Sequence, residues 1–89
     1  MIFTIDTTSS VPIYAQLVEQ VKYALAAGIL RAGDPLPSLR QTAAGLRVNP
    51  LTVSKAYRAL EADGIIVTDH GRGSSVSYTH LTLPTILLV

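Results

Sequence analysis

The chain has 89 residues, no cysteine and a formal net charge of +1, with seven basic and six acidic side chains. This length suits one domain with a small core, and the lack of cysteine excludes disulfides and thiolate metal sites while remaining compatible with a reducing compartment. No stretch approaches the ~20 apolar residues that cross a bilayer, and the N-terminus does not resemble a secretory signal, so we expect a cytoplasmic protein with no membrane partner.

The positive charge is concentrated in one segment. Residues 35–60 contain no acidic side chain and four basic ones, Arg40, Arg47, Lys55 and Arg58. Arg72 adds one positive charge, whereas elsewhere two basic residues stand against six acidic ones. Such a basic face on a nearly neutral protein is typical of a domain that faces phosphates. The alternative is a solvated face with an accidental bias of sign.

The chain begins with a short strand pattern and a long helix. The apolar, β-branched residues 2–5 predict a weak N-terminal strand, and the polar residues 6–10 predict a turn. Pro12 suits the first position of a helix, and Gly28 suits its end. The buried stripe of this helix is predicted from apolar residues at every fourth position, namely Ile13, Leu17, Val21 and Leu25.

A connector and a second helix follow. Pro35 and Pro37 exclude regular helix, since proline has no amide donor and fixes the chain near an extended path. Ser38, with Gln41 three residues later, forms a capping-box pattern. This pattern predicts a second helix that runs to about Leu46.

The third helix is predicted to have Asn49 as its N-cap and Pro50 in its first position, and to run to about Asp63 before Gly64. Its buried stripe is predicted from helical spacing, namely Val53, Ala56, Tyr57 and Leu60. The opposite face carries Leu51, Ser54, Lys55 and Arg58.

A small sheet completes the predicted domain. Residues 65–68 are rich in β-branched side chains and predict a strand, residues 69–73 predict a turn, and residues 74–77 predict its antiparallel partner. The fold class is therefore α+β and mainly α. We expect a three-helix winged helix-turn-helix over residues 1–77, with a two-stranded C-terminal wing and a possible short N-terminal strand.

The tail, residues 78–89, does not fit this pattern. It is apolar and follows Arg72, the last residue with a formal charge. We interpret it as a non-native or disordered addition to a truncated reading frame. The competing interpretation is a native third strand or a dimer contact.

The third helix carries side chains suited to base and phosphate contact. A helix presented on a tight turn enters the ~12 Å major groove with its N-terminal residues against the base edges. Hydrogen bonds to bases or phosphates are expected from Asn49, Thr52 and Ser54. Leu51 suits a thymine methyl group, and Lys55 and Arg58 suit phosphate or guanine. For Asn49, capping its own helix is a competing role of the same side chain.

Two further contacts are expected outside this helix. Arg40, near the start of the second helix, suits a phosphate contact, although a lone arginine is more often a solvated surface residue. The turn of the wing is predicted to lie in the adjacent minor groove, where negative potential attracts arginine and glycine permits close approach. Its residues are His70, Gly71, Arg72 and Gly73. The alternative is an ordinary hairpin turn whose glycines supply positive φ.

Several spaced motifs occur together in this sequence. They are Pro-Ile-Tyr at residues 12–14, the connector at 28–40, the run Val-Asn-Pro-Leu-Thr-Val-Ser-Lys-Ala-Tyr at 48–57, residues 60–66, and Gly-Arg-Gly at 71–73. In this order they resemble the N-terminal winged-helix domain of the GntR family of bacterial transcription regulators, over residues 2–77. The Asn-Pro-x-Thr-Val-x-Lys-Ala-Tyr run is most similar to the small YtrA-type branch of that family.

The resemblance implies a dimeric regulator, usually a repressor, whose two domains read a palindromic operator in double-stranded DNA. By position in the motifs it implies DNA contact by the wing turn and by Arg40, Asn49, Leu51, Thr52 and Ser54. Thr42 departs from the family, which usually has an apolar core residue there, and Leu51 replaces a commonly polar recognition residue. The effector-binding or dimerisation region expected after the wing is not found in this sequence, so no effector is predicted.

The residues leave two other functions open. A winged helix can serve protein association, with Leu51, Tyr23 and the apolar tail as its adhesive surface, or it can be the head of a larger fusion regulator such as the aminotransferase-like branch. An enzyme is not expected, because Asp69 and His70 lie in a turn without a nucleophile, base and orienting group. Neither a cofactor nor a metal is expected, since His70 and His80 are ten residues apart without carboxylates at ligand spacing.

Overall fold

The computed structural model describes residues 3–69 and 73–77, which form three helices followed by a two-stranded antiparallel sheet. The elements are α1 (Ile13–Ala26), α2 (Leu39–Leu46), α3 (Pro50–Ala62), β1 (Ile66–Asp69) and β2 (Gly73–Val76). This architecture confirms the predicted winged helix-turn-helix. Within the described part of the chain, no helix combines the length and the apolar character needed to cross a membrane.

Helix α1 buries the predicted apolar stripe. Leu17 and Val21 are 0% exposed, and the stripe ends Ile13 and Leu25 pack against the same core as partly buried residues. Pro12 is the N-cap instead of the first helical residue, because its ψ of 146° is extended while its carbonyl already accepts the first helical bond from the Gln16 amide, at 3.1 Å.

The N-terminal segment does not form the predicted strand within its described residues, which begin at Phe3. Its backbone groups bond instead to glutamine side chains of α1. The Thr4 amide donates to Gln20 Oε1 at 2.8 Å, Gln20 Nε2 donates back to the Thr4 carbonyl, and the Asp6 amide donates to Gln16 Oε1 at 2.8 Å. With those groups satisfied by side chains, Phe3 enters the core without a strand partner.

Both predicted helix caps are present. At α2, Ser38 Oγ accepts from the Gln41 amide and Gln41 Oε1 accepts from the Ser38 amide, each at 3.1 Å. This arrangement is the complete capping box. At α3, Asn49 Oδ1 accepts from the Leu51 amide at 2.8 Å, and Pro50 is the first helical residue.

Helix α3 lies at the centre of the fold, since α1, α2 and β1 all pack on it. Its predicted apolar stripe is confirmed: Val53, Ala56 and Leu60 are 0% exposed and Tyr57 is 5% exposed. The helix ends at Ala62, with Asp63 as its C-cap. Helix α3 therefore positions α1, α2 and β1, and β2 joins the fold through its pairing with β1.

The wing has the predicted antiparallel hairpin form, with each strand one residue away from its predicted bounds. Ile66 lies opposite Val76, and Asp69 lies opposite Gly73. The proline-rich connector adds backbone pairing that the sequence did not indicate. The Val76 amide donates to the Asp34 carbonyl and the Leu36 amide donates to the Ser74 carbonyl, both at 2.9 Å. These bonds fix β2 between β1 and the connector.

A buried hydroxyl pair joins α3 to the start of α2. The Tyr57 hydroxyl donates to the Pro37 carbonyl at 2.7 Å and lies 3.1 Å from Thr42 Oγ1. Since tyrosine has one hydroxyl proton, which goes to Pro37, Thr42 is the donor in the second bond. Burial raises the pKa of Tyr57 above its ordinary value of 10.0, and the hydrogen bond with Thr42 opposes that rise. Thr42 thus has a polar partner in the core.

The capping box predicts a stability change. Ser38→Ala removes the side-chain acceptor of the Gln41 amide and should lower the free energy of unfolding by about 1 kcal/mol. The measurement is chemical denaturation followed by circular dichroism. Ser10→Ala is the matched control, because Ser10 is exposed and its hydroxyl has no hydrogen bond among the described residues. Equal stability of both variants would contradict this role of the cap.

The hydroxyl pair predicts a second change. Tyr57→Phe leaves the Thr42 hydroxyl and the Pro37 carbonyl without their partner. It should lower the free energy of unfolding, measured by chemical denaturation, by about 1–3 kcal/mol. Thr42→Val keeps the bond to Pro37 and should cost less than about 1 kcal/mol. Tyr23→Phe, which removes a hydroxyl from a side chain 69% exposed, should have no effect. If Tyr57→Phe is as stable as Tyr23→Phe, the pair does not stabilise the fold.

The raised pKa of Tyr57 predicts a pH dependence. The unfolded chain ionises this phenol near pH 10, before the folded chain does, so the stabilisation is complete below about pH 10 and is lost as the pH rises through the folded pKa. The free energy of unfolding should therefore fall more steeply above about pH 10 in the unaltered chain than in Tyr57→Phe. Parallel pH profiles would contradict the assignment.

Candidate nucleic-acid interface

The outer face of α3 presents the predicted recognition residues to solvent. Leu51, in the first turn, is 75% exposed, and Lys55 and Arg58 are also exposed. Thr52 and Ser54 are half-buried between this face and the core. An N-terminal turn with a large exposed apolar side chain, followed by two cations, has the shape and chemistry of a groove-reading helix.

Asn49 combines its position at the start of α3 with the capping role. Its Oδ1 accepts the Leu51 amide proton, so this oxygen is occupied by the helix itself. The amide nitrogen Nδ2 has no partner among the described residues. The competing roles of Asn49 are therefore separable by atom: the oxygen caps the helix, and the nitrogen is left as a donor at the helix start.

Lys55 contacts an aromatic ring that the sequence did not link to it. Its Nζ lies 4.1 Å from the centroid of the Tyr14 ring, at the start of α1. This cation–π contact restricts the side chain to one side of α3 without neutralising its charge. The two residues are distant in sequence, and the packing of α1 on α3 brings them together.

A groove brings α2, α3 and the wing onto one face. Ser38 and Leu39 from the start of α2, Ser54 and Arg58 from α3, and Gly73 from β2 all line it. Arg40 follows Leu39 and is exposed. Gly73 has a φ of +88°, a conformation that disfavours side chains. The structure thus brings Ser54, Arg58 and Gly73 together, whereas Arg40 is not among the residues that line the groove.

The wing is tied to α3 by side chains next to the last strand pair before the turn, Asp69 and Gly73. Thr68 Oγ1 donates to Glu61 Oε1 at 2.5 Å and lies 3.1 Å from Ser74 Oγ. The sequence did not indicate these contacts, since Glu61 and Thr68 are unremarkable surface residues in the pattern. The predicted minor-groove residues His70, Gly71 and Arg72 lie outside the described residues.

The cations of this face have no acidic partner in the described part of the chain. The ion pair found there joins Lys22 to Asp63 at 3.6 Å, between α1 and the C-terminal end of α3. The first turn of α3 lies at the opposite end of that helix. The first turn of α3 carries the partial positive charge of the helix dipole, and Lys55 and Arg58 follow it along the same face, so both contributions favour an anionic ligand.

The chain matches the family model described as "Bacterial regulatory proteins, gntR family" over residues 13–76. It is 51% identical over 73 residues to the HTH-type transcriptional repressor YtrA of Bacillus subtilis, covering 82% of this chain and 56% of that protein. The chain therefore spans about half the length of this curated relative.

Solved structures share the fold. YtrA from Sulfolobus acidocaldarius, a GntR-family transcription factor, is similar at a TM-score of 0.79 and 40% identity, covering 99% of this chain and 95% of that chain. The DNA-binding domain of AraR, solved in complex with operator ORX1, has a TM-score of 0.73 at 22% identity over 86% of this chain and 95% of that chain, which shows a shared fold alone. The family match covers α1 to β2, and the chain belongs to the gntR family of bacterial regulatory proteins.

Proposed function

We propose that this chain is the DNA-reading head of a bacterial transcription regulator, with α3 in the major groove of duplex DNA and the wing at the adjacent minor groove. The observation that carries this proposal is the outer face of α3. There Leu51 is 75% exposed, and Lys55 and Arg58 follow it on a helix whose other face is fully buried. A face with this composition is suited to base edges in its first turn and to phosphates further along.

The relatives support the same role. The Bacillus YtrA protein is named a transcriptional repressor, and the AraR domain was solved in complex with an operator. Both support double-stranded DNA as the partner. We extend this to a repressor that acts as a homodimer on a palindromic operator in the bacterial cytoplasm. Two copies of one helix related by a two-fold axis read two half-sites about one helical turn apart, ~34–36 Å.

Each site residue has a distinct proposed role. Base edges are contacted by Leu51, Thr52, Ser54 and the Asn49 amide nitrogen. Phosphates are contacted by Arg40, Lys55 and Arg58. The wing turn, with His70, Gly71, Arg72 and Gly73, enters the minor groove.

Selection of bound sequences from a random pool of duplex DNA tests this function. We expect the 89-residue chain to enrich two inverted half-sites, and their spacing reports the symmetry of the dimer. Enrichment of single half-sites would contradict dimerisation but not DNA binding. No enrichment at any protein concentration, together with self-association of the chain, would overturn the DNA role in favour of protein association.

A phosphate contact by Arg40 predicts a change in salt dependence. Arg40→Ala should reduce the slope of log K against log salt concentration by about 0.9. The affinity lost relative to the unaltered chain should therefore be about eightfold larger at 0.1 M salt than at 1 M. Fluorescence anisotropy with a selected duplex measures both quantities. Lys22→Gln is the matched control, because it removes one positive charge from the residue paired with Asp63 at the far end of α3. Equal slopes for both variants would remove Arg40 from the interface.

A base contact by Leu51 predicts a change in sequence preference instead of a change in salt dependence. Leu51→Ala should reduce the preference for thymine at one base-pair position by about 1–3 kcal/mol of binding free energy, since an apolar contact with the thymine methyl is lost. The salt slope should stay unchanged. The measurement is binding to a set of duplexes substituted at each position. Uniform weakening at every position would show that Leu51 does not read a base.

A further inference from the structure

Arg47 has an unusual backbone conformation for an arginine. Its φ is +58° and its ψ is +43°, which makes it the non-glycine residue with positive φ in the described part of the chain. The left-handed region is unfavourable for residues with a Cβ atom, and helix ends that use it usually have glycine or asparagine there. An arginine at this position therefore retains a conformational cost that glycine would not have.

The backbone bonds at this helix end do not depend on the arginine side chain. The Arg47 amide donates to the Ala44 carbonyl at 3.3 Å, and the Val48 amide donates to the Ala43 carbonyl at 3.1 Å. Together these are the two bonds of a Schellman motif, in which glycine is the usual residue at the Arg47 position. The cap explains the conformation of the backbone and leaves the choice of arginine unexplained.

The side chain of Arg47 is exposed and has no partner among the described residues. It lies in the turn between α2 and α3, two residues before the N-cap Asn49. Consecutive Cα atoms are 3.8 Å apart, so the Arg47 Cα lies within about 8 Å of the Asn49 Cα. Arg47 is therefore close to the end of α3 that the proposed function puts into the major groove.

We propose that Arg47 is a phosphate-contacting residue at the start of the recognition helix. Glycine can form the left-handed turn that holds it there, so the fold itself does not require an arginine. This inference rests on the proposed DNA function. The guanidinium presents several donors in one plane, which matches two oxygens of a phosphate. Backbone conformations that are costly for their side chain persist mainly where function retains them.

Substitutions at Arg47 separate stability from affinity. Arg47→Gly removes the side chain and the conformational cost together, so its melting temperature should equal or exceed that of the unaltered chain. With a duplex selected from the random pool, the salt slope of the variant should be reduced by about 0.9. The ratio of the unaltered chain's affinity to that of the variant should therefore be about eightfold larger at 0.1 M salt than at 1 M. Arg47→Asn, which tolerates the left-handed region, should behave alike. Arg47→Lys keeps the charge and should restore the salt slope, but it should recover only part of the affinity because lysine lacks the paired donors.

A second duplex tests the type of contact. A phosphate contact carries no sequence information, so Arg47→Gly should weaken binding to the selected duplex and to a scrambled duplex by the same factor. Loss confined to the selected duplex would assign Arg47 to base reading and overturn the proposal. So would an equal loss in Lys22→Gln, because the effect would then be one of net charge.

The failure of this inference is distinct from the failure of the DNA function. If the unaltered chain binds no duplex, the DNA function falls and this inference falls with it. If the unaltered chain binds and Arg47→Gly binds equally well, only the role of Arg47 is overturned. A melting temperature well below that of the unaltered chain in both Arg47→Gly and Arg47→Asn would show that the arginine side chain stabilises the fold, and would also overturn the proposal.

Discussion

The structure depends on one helix having two opposed faces. Val53, Ala56 and Leu60 are completely buried on the inner face of α3, and α1, α2 and β1 all pack on this helix. The helical period then requires that the residues between them point away from the core. The same helical period that buries these core residues therefore also exposes Leu51 and Lys55.

The neighbours of α3 are fastened to it by polar side chains as well as by apolar packing. On one side, the Tyr57 hydroxyl bonds to the Pro37 carbonyl and to Thr42, which fixes the start of α2. On the other side, Glu61 accepts from Thr68 in strand β1 of the wing. Such bonds are directional, whereas apolar packing is not. They therefore set the positions of α2 and the wing relative to α3.

Electrostatics and local conformation converge at the start of α3. The segment that forms α2, the turn and α3 up to residue 60 contains no acidic residue, and the ion pair of the described chain lies at the other end of α3. The cation–π contact with Tyr14 orders Lys55 without cancelling its charge. Arg47, with its left-handed backbone, lies two residues before the N-cap Asn49. A small protein with almost no net charge thus has a locally cationic surface.

Some features were determined by the sequence alone because they depend on local chemistry. The capping box of Ser38 and Gln41, the Asn49 cap and the stripe of α3 need only residues within one or two turns of helix, and all three were predicted correctly. The hairpin was also predicted, to within one residue, from β-branched runs around a turn. The family motifs are of this kind, since they are fixed spacings along the chain.

Other features were decided only by the tertiary structure, because they join residues distant in sequence. The backbone of Thr4 bonds to Gln20 instead of forming a strand, and the Asp34 carbonyl pairs with β2. The buried partner of Thr42 and the ring beneath Lys55 are likewise contributed by other helices. Periodicity states which face of an element is buried, but it contains no information on which distant group meets that face. That choice is made when the helices and the wing pack around α3.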